Sequence, residues 1–199
     1  MSLRHSYTLF APFYDRLLTR ATAGPRQRSL ARLATQPAGR VLLNGVGTGL
    51  DLPYLPLHHH YLGLDLTPAM LARCPAPRGL RWQAVQGDAC HLPFADASFD
   101  AVVLHLILAV VPQPEACMAE STRILRPGGQ MLVFDKFLRP GQPARLRRAL
   151  SPLAGQLATR LDVEFEPLLA ATPGLRLLED QPALAGGWFR LLHLQRAQG

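Results

Sequence analysis

Lysine is almost missing from this chain: Lys136 is the only one, against 20 Arg. With so much Ala and Pro alongside, that imbalance partly records base composition, so basicity alone does not designate a nucleic-acid ligand. Long apolar runs are missing as well, and none approaches the about 18 residues of a membrane span. Residues 1–10 lack the basic, apolar and small-residue layout of a secretory signal. Cys74, Cys90 and Cys117 are odd in number and widely spaced, which argues against a disulfide framework and for a reducing compartment. The cytoplasm is the expected location. No internal repeat or low-complexity linker interrupts the chain.

What is present is one sizeable core's worth of apolar residues, 48% of 199, so one domain spanning 1–199 is expected. The net charge of +7 sits in the flanks. Residues 1–40 hold seven Arg against Asp15 alone, and 139–199 hold eight Arg against five acids. Between them, 41–138 hold six basic and eight acidic residues. Such flanks suit an anionic lipid surface, an acidic partner or nucleic acid, although no aromatic-and-basic platform favours the last.

Periodicity predicts an amphipathic helix over 3–18, broken at Pro12, with Leu3, Tyr7, Phe10, Tyr14 and Leu17 on one arc. A second helix is expected from Pro25 to Leu33, with proline in its first turn. Val41-Leu42-Leu43-Asn44 then runs as a strand into Gly45-Val46-Gly47-Thr48-Gly49. Alternate glycines allow positive φ and close approach of a ligand to the backbone. A short helix after them, cut at Pro53 or Pro56, would offer unpaired N–H groups to a carboxylate or phosphate.

Further strands are expected at 61–65, 81–86, 101–106 and 130–137, with helices starting at Pro68 behind an N-cap Thr67 and spanning 114–125. Arg126-Pro127-Gly128-Gly129 closes the latter. Beyond Phe137 the pattern predicts a Leu-striped, Arg-rich helix over 143–161, a short helix at 163–171, and a closing antiparallel pair at 175–180 and 187–196. Strand–helix alternation with short links predicts an α/β doubly wound sheet, its ligand lying across the strand carboxyl ends. Asp65, 16 residues past Gly49, stands where a strand-end carboxylate accepts a ribose diol. Asp88, past the third strand, can take the exocyclic amine of an adenine.

Taken together, Gly45 to Gly49, Gly63-Leu64-Asp65 with Thr67-Pro68-Ala69-Met70, Gly87-Asp88-Ala89 with Leu92-Pro93-Phe94, Phe99-Asp100, and Arg123 to Gly129 resemble the class I S-adenosylmethionine-dependent methyltransferases. The resemblance implies a Rossmann-like seven-stranded sheet, mostly parallel, with an antiparallel closing strand. It divides the chain into a helical lid (1–37), a cofactor-binding core (38–137), and a helical insert with closing strands (138–199).

It also implies site roles. Gly45, Val46, Gly47, Thr48 and Gly49 would approach the methionine part of S-adenosylmethionine. Asp65 would hold the ribose, Leu66 and Met70 would flank the adenine, and Asp88, Ala89 and Cys90 would read its edge. His105 and Leu106 would lie near the sulfonium. S-adenosylhomocysteine would be the product. One position departs from the pattern: where the family carries an acid two residues before the first glycine, this chain has Leu43, followed by Asn44. Asn44 or Asp51 would then hold the methionine ammonium, or affinity would be lower.

A narrower resemblance joins Tyr7, Phe10-Ala11-Pro12-Phe13-Tyr14-Asp15, Val110-Val111-Pro112 and the 145–161 segment to bacterial phosphatidylethanolamine N-methyltransferases. The same lid occurs in quinone and small-thiol methyltransferases. It implies Tyr14 closing over the methionine end, and Tyr7, Phe10 and Asp135 on the acceptor side. Candidates for moving an acceptor proton are Tyr14, Asp15, His105 and Asp135. Three functions stay open: methyl transfer to a phospholipid amine by a membrane-adsorbed enzyme, transfer to a soluble thiol, quinone or other metabolite, and cofactor binding without catalysis. His58-His59-His60 does not present ligands to one ion from a strand, so no metal is expected. The oligomeric state is left open.

Overall fold

The computed structural model describes residues 20–75, 77–138 and 163–198. The helices expected over 3–18 and 143–161, and with them Tyr7, Phe10, Tyr14 and Asp15, lie outside the described residues. Seven strands form one sheet: β1 (Arg40–Asn44), β2 (His60–Asp65), β3 (Arg81–Gln86), β4 (Phe99–His105), β5 (Leu125–Lys136), β6 (Leu175–Leu184) and β7 (Phe189–Arg196). Their order is β3-β2-β1-β4-β5-β7-β6. The pairs from β3 to β5 are parallel, and β7 runs antiparallel to both β5 and β6. Strand order reverses between β1 and β4, which opens a crevice at their carboxyl ends.

Strand alternation divides the core in two. Val41, Leu43, Ala101, Val103 and Leu132 point to one face, where Leu30 and Leu33 cover them. Leu42, Val102, Leu104, Met131 and Val133 point to the other, against Cys117 and Met118 of helix α3 (Pro114–Ile124) and Phe165 and Leu168 of α4 (Phe165–Ala170). Each buried Leu or Val contributes about 1.5–3 kcal/mol, so a one-residue slip would strip both faces at once. The same alternation sends His105 toward the first face and Asp135 toward the second.

Several elements differ from the sequence expectation. Residues 20–30 are helical (α1) and continue as a 3-10 turn, Ala31–Thr35, so Pro25 lies inside the helix rather than at its start. The helix tolerates the lost N–H because Thr22, Arg26, Ser29 and Leu30, at i, i+4, i+7 and i+8, are all buried on one side. The helix expected after the glycine turn is only a 3-10 turn, Leu52–Tyr54, with Pro53 in it. α2 (Pro68–Leu71) begins as expected behind Thr67, but the Thr67 side chain makes no cap bond. Strand β5 begins at Leu125, because Phe99 pairs with Leu125 before Ala101 pairs with Gln130 and the intervening residues bulge. Among the described residues no helix joins β3 to β4.

Gly63 shows how tightly β2 and β3 are fitted. A Cβ built there would overlap the Trp82 indole, which lies across it. Gly63→Ala is expected to lower stability by about 1–3 kcal/mol in urea unfolding, the range for overpacking. In a Trp82→Ala background most of that penalty should vanish, and an equal loss in both backgrounds would place the strain elsewhere.

Candidate functional site

The glycine turn ends β1 at the carboxyl edge. Gly45, Gly47 and Gly49 have φ of 78°, 57° and 82°, in the left-handed region that favours glycine. Their surroundings differ. A Cβ on Gly45 would strike Ile107, and one on Gly49 would strike Cys74 and Leu52. A Cβ on Gly47 would meet nothing within 4 Å, so the backbone there borders open space that a ligand can enter.

The amides of Gly45, Val46, Gly47 and Gly49 are already used. Gly45 and Val46 N–H both donate to the Leu64 carbonyl at 2.8 and 2.9 Å, and Gly49 N–H to the Val46 carbonyl at 3.1 Å. Gly47 N–H donates to Asp65 Oδ2 at 2.8 Å. With no α-helix behind it, the turn is not an anion cradle, and the pyrophosphate site of a dinucleotide has no counterpart here. Thr48 is half-buried within the turn.

Asp65 ends β2 and also accepts Thr67 N–H on Oδ1 at 2.9 Å. A carboxylate offers about four lone-pair sites, so two remain for a diol. The neighbouring Leu66 is 57% exposed, an apolar surface beside that acid, with Met70 half-buried on α2. Past β3, Asp88 accepts Cys90 N–H at 2.8 Å and faces His91 Nδ1 at 3.2 Å. The Cys90 amide, chiefly, holds its carboxyl below the usual range. Ala89 and Cys90 are buried beside it, and burial pushes the Cys90 thiol up. Two carboxylates on adjacent strand ends, an exposed leucine and open backbone at Gly47 fit a nucleoside with a thioether arm.

The residues expected at the methionine end are arranged differently. Leu43 is 1% exposed and packs toward α1. Asn44 points the other way, its amide donating to Ser121 Oγ at 3.2 Å and reaching Ala89 O at 3.4 Å, while its Oδ1 is buried without a partner. Asp51 is engaged on one oxygen: Arg26 Nη1 and His105 Nδ1 both meet Oδ1, at 2.8 and 2.7 Å. Burial raises its pKa, but His105 and Arg26 outweigh that and hold the carboxyl well below the usual range. Of the two sequence candidates for an ammonium, Asn44 keeps an unpartnered Oδ1, while Asp51 carries both of these partners on Oδ1.

His105 Nε2 lies 2.9 Å from Ser29 Oγ, and Arg26 Nε donates to Thr22 Oγ1 at 3.1 Å. Thus Thr22, Arg26 and Ser29 on α1 meet Asp51 and His105 in one buried network. Sequence reading placed Arg26 in a basic surface flank and missed Ser29; their spacing of three, on the face that carries Leu30, was the available signal. Leu106, next in the chain, holds φ of 60°, a strained backbone for a leucine at the crevice wall.

Asp135 ends β5 on the opposite face and accepts Ala109 N–H at 3.1 Å and Lys136 N–H at 2.8 Å. Burial raises its pKa to about 6, against the pull of those amides. The histidines disperse: His58 bonds the Gln36 carbonyl, His59 the Leu33 carbonyl, and His60 meets Arg81.

Comparison with known proteins matches residues 42–133 to the family described as "Methyltransferase domain". The chain is similar to the phosphatidylethanolamine N-methyltransferase of Cereibacter sphaeroides, at 34% identity over 201 residues, covering 98% of each chain. It is also similar to the demethylmenaquinone methyltransferase of Tropheryma whipplei (strain Twist), at 28% over 166 residues, covering 76% of this chain and 68% of that one. Among solved structures, a SAM-dependent methyltransferase of Thermotoga maritima superposes with a TM-score of 0.69 at 21% identity, covering 98% and 99%. At that identity the likeness speaks for the fold.

The two buried acids should act oppositely with pH. Asp51 has a lowered folded pKa, so its contribution to stability is complete above about pH 4 and is lost as pH falls below that. Asp135 has a raised one, so it favours the fold below about pH 4 and loses that contribution as pH rises through about 6. Carboxyl carbon NMR should show Asp135 titrating near 6, and a midpoint near 4 would contradict its burial. Asp51→Asn should cost about 3–5 kcal/mol at neutral pH by leaving Arg26 uncompensated, with the gap to the unaltered chain narrowing in acid.

Proposed function

The chain belongs to the class I S-adenosylmethionine-dependent methyltransferases, and from that membership we propose that its acceptor is the amine of a phospholipid headgroup such as phosphatidylethanolamine. The observation that carries this reading is the end-to-end match to a relative named for that reaction. That match takes in the chain on both sides of residues 42–133, where the proposed lid and insert lie.

S-adenosylmethionine, when bound, supplies a methyl group on a sulfonium. Displacement at that carbon needs little acid–base help, so this chain's residues act mainly by positioning and by excluding water. Asp65 would hold the ribose hydroxyls with its remaining lone pairs. Leu66 and Met70 would flank the adenine, whose edge would meet Asp88, Ala89 and Cys90. His105 is a positioning residue in this reading: locked between Asp51 and Ser29, it fixes α1 against the crevice. Tyr14, Tyr7 and Phe10 are assigned to the lid and acceptor side from sequence alone.

Asp135 pins the loop after β4 through Ala109, and on the other face of the sheet stands a row of rings. His105 meets Phe134 at 5.7 Å, Phe134 meets Phe189 at 5.9 Å, and Phe189 meets Trp188 at 5.6 Å between centroids. Phe189 and Trp188 are half-buried. Ring faces attract ammonium groups, which suits a head that becomes a permanent cation as methyls accumulate. An amine must also shed a proton before attack; Asp135, 1% exposed with both oxygens held by backbone amides, serves the loop after β4 and not that step.

A second reading, transfer to a quinone or another small acceptor, draws on the demethylmenaquinone methyltransferase relative. Labelled methyl transfer separates the two. Incorporation into phosphatidylethanolamine vesicles is expected, and label entering only a demethylquinol or a soluble thiol would overturn the lipid assignment. Asp65→Ala should weaken S-adenosylhomocysteine binding on the order of 100-fold in calorimetry, the loss of two hydrogen bonds to a charged acceptor. Unchanged affinity would remove the ribose from Asp65.

A further inference from the structure

At the opposite edge of the sheet, the amino ends of β1, β2 and β3 carry a row of basic side chains abreast. Arg40 pairs in register with His60, and His60 with Arg81. Adjacent strands lie about 4.8 Å apart, so the row sets two exposed guanidiniums at one sheet edge with the His60 imidazole between them. Arg81 alone, on an edge strand, would serve to discourage pairing with another chain. Arg40 is the exposed first residue of β1, two strands inward from that edge.

The row faces a cavity of about 480 Å³, lined also by Leu62 and Gln83. Its position follows from the fold: Arg40, His60 and Arg81 share the face of Leu42, Leu62 and Leu64, where no helix links β3 to β4 among the described residues. No carboxylate is among the described residues that line it. Arg40 sets its guanidinium 4.8 Å from the Phe99 ring centroid, and Arg81 Nη1 lies 2.9 Å from His60 Nε2. Neither guanidinium is salt-bridged among the described residues. The nearby Asp100 is committed to Arg126 at 2.5 Å and to the Arg40 backbone N–H at 2.8 Å.

We propose that this cavity is an oxyanion site that takes a phosphate-type group between Arg40 and Arg81, with His60 and the Gln83 amide beside it. Guanidinium groups carry planar donor forks that phosphate oxygens fill in pairs, and here the Phe99 ring and His60 give the two forks a resting place beside the cavity. The site is independent of methyl transfer and lies at the sheet edge away from the glycine turn. A phosphate in solution and the phosphate of a lipid headgroup share the required chemistry.

Two binding arms distinguish those sources. Calorimetry with inorganic phosphate tests the first, and sedimentation with phosphatidylcholine vesicles, with and without phosphatidic acid, tests the second. The unaltered chain should bind in at least one arm. Arg40→Gln with Arg81→Gln should weaken that binding about tenfold or more, as expected when two charge-assisted contacts are lost. A charge-matched control, Arg28→Gln with Arg176→Gln at two exposed positions, should leave it unchanged. S-adenosylhomocysteine affinity should stay constant in all three proteins, which reports an intact fold. Absence of binding in both arms, or an equal loss in the control, would overturn the proposal.

Discussion

One buried carboxylate holds three separate pieces of this molecule together. Asp51 follows the glycine turn, Arg26 comes from α1, and His105 ends β4, and the two basic groups meet the same oxygen. Burying an anion is costly unless it is paired and hydrogen-bonded, so the network persists only as a whole. Ser29 extends it by satisfying the far nitrogen of the imidazole. Helix, turn and strand end are thereby held in register at the crevice. The segment that precedes α1, where the lid is proposed, leads into this same anchored helix.

That anchor was the least legible part of the sequence, and the reason is physical. Strands β1 to β5 announce themselves by short apolar runs between glycine and proline, and the closing pair by its two apolar stretches. Gly45, Gly47 and Gly49 mark a turn because only glycine takes those φ values readily. Long-range polar pairing leaves no such trace. Arg26 and Asp51 are 25 residues apart, and nothing local shows that they meet or that both are buried. Pro25 actively misled, because proline at a helix start is common and its place inside α1 depends on the burial of Thr22, Arg26 and Ser29. Strand alternation, by contrast, separates His105 and Asp135 onto opposite faces, which their shared position at strand ends concealed.

The crevice is uneven for a related reason. The end proposed for the nucleoside has strand-end acids whose backbone partners are local: Asp65 with Gly47 and Thr67, Asp88 with Cys90. Those positions follow from strand, turn and cap, and so could be read directly. The end proposed for the methionine depends on tertiary choices. With Leu43 in the apolar layer against α1, the face that an acid would have occupied is filled by core packing. Asn44 serves α3, and Asp51 serves α1. The acceptors left beside the glycine turn are its backbone carbonyls and the unpartnered Oδ1 of Asn44.

Charge gives the last step. The excess counted along the chain overstates what the surface carries, since Arg26 is buried on Asp51 and Arg32 pairs with Glu179. Arg190 is 2% exposed, stacked near Phe137 and Phe165 and paired with Glu166 and Asp180, and so clamps the closing strands rather than facing a partner. Where arginine is answered by acid, it builds the fold. Arg40 and Arg81 stand apart because they lie in one row, beside a cavity, with the nearest carboxylate already engaged. Arg40, His60 and Arg81 are exposed at the amino ends of three neighbouring strands, so water can solvate them, and the case for an oxyanion rests on their placement abreast beside one cavity.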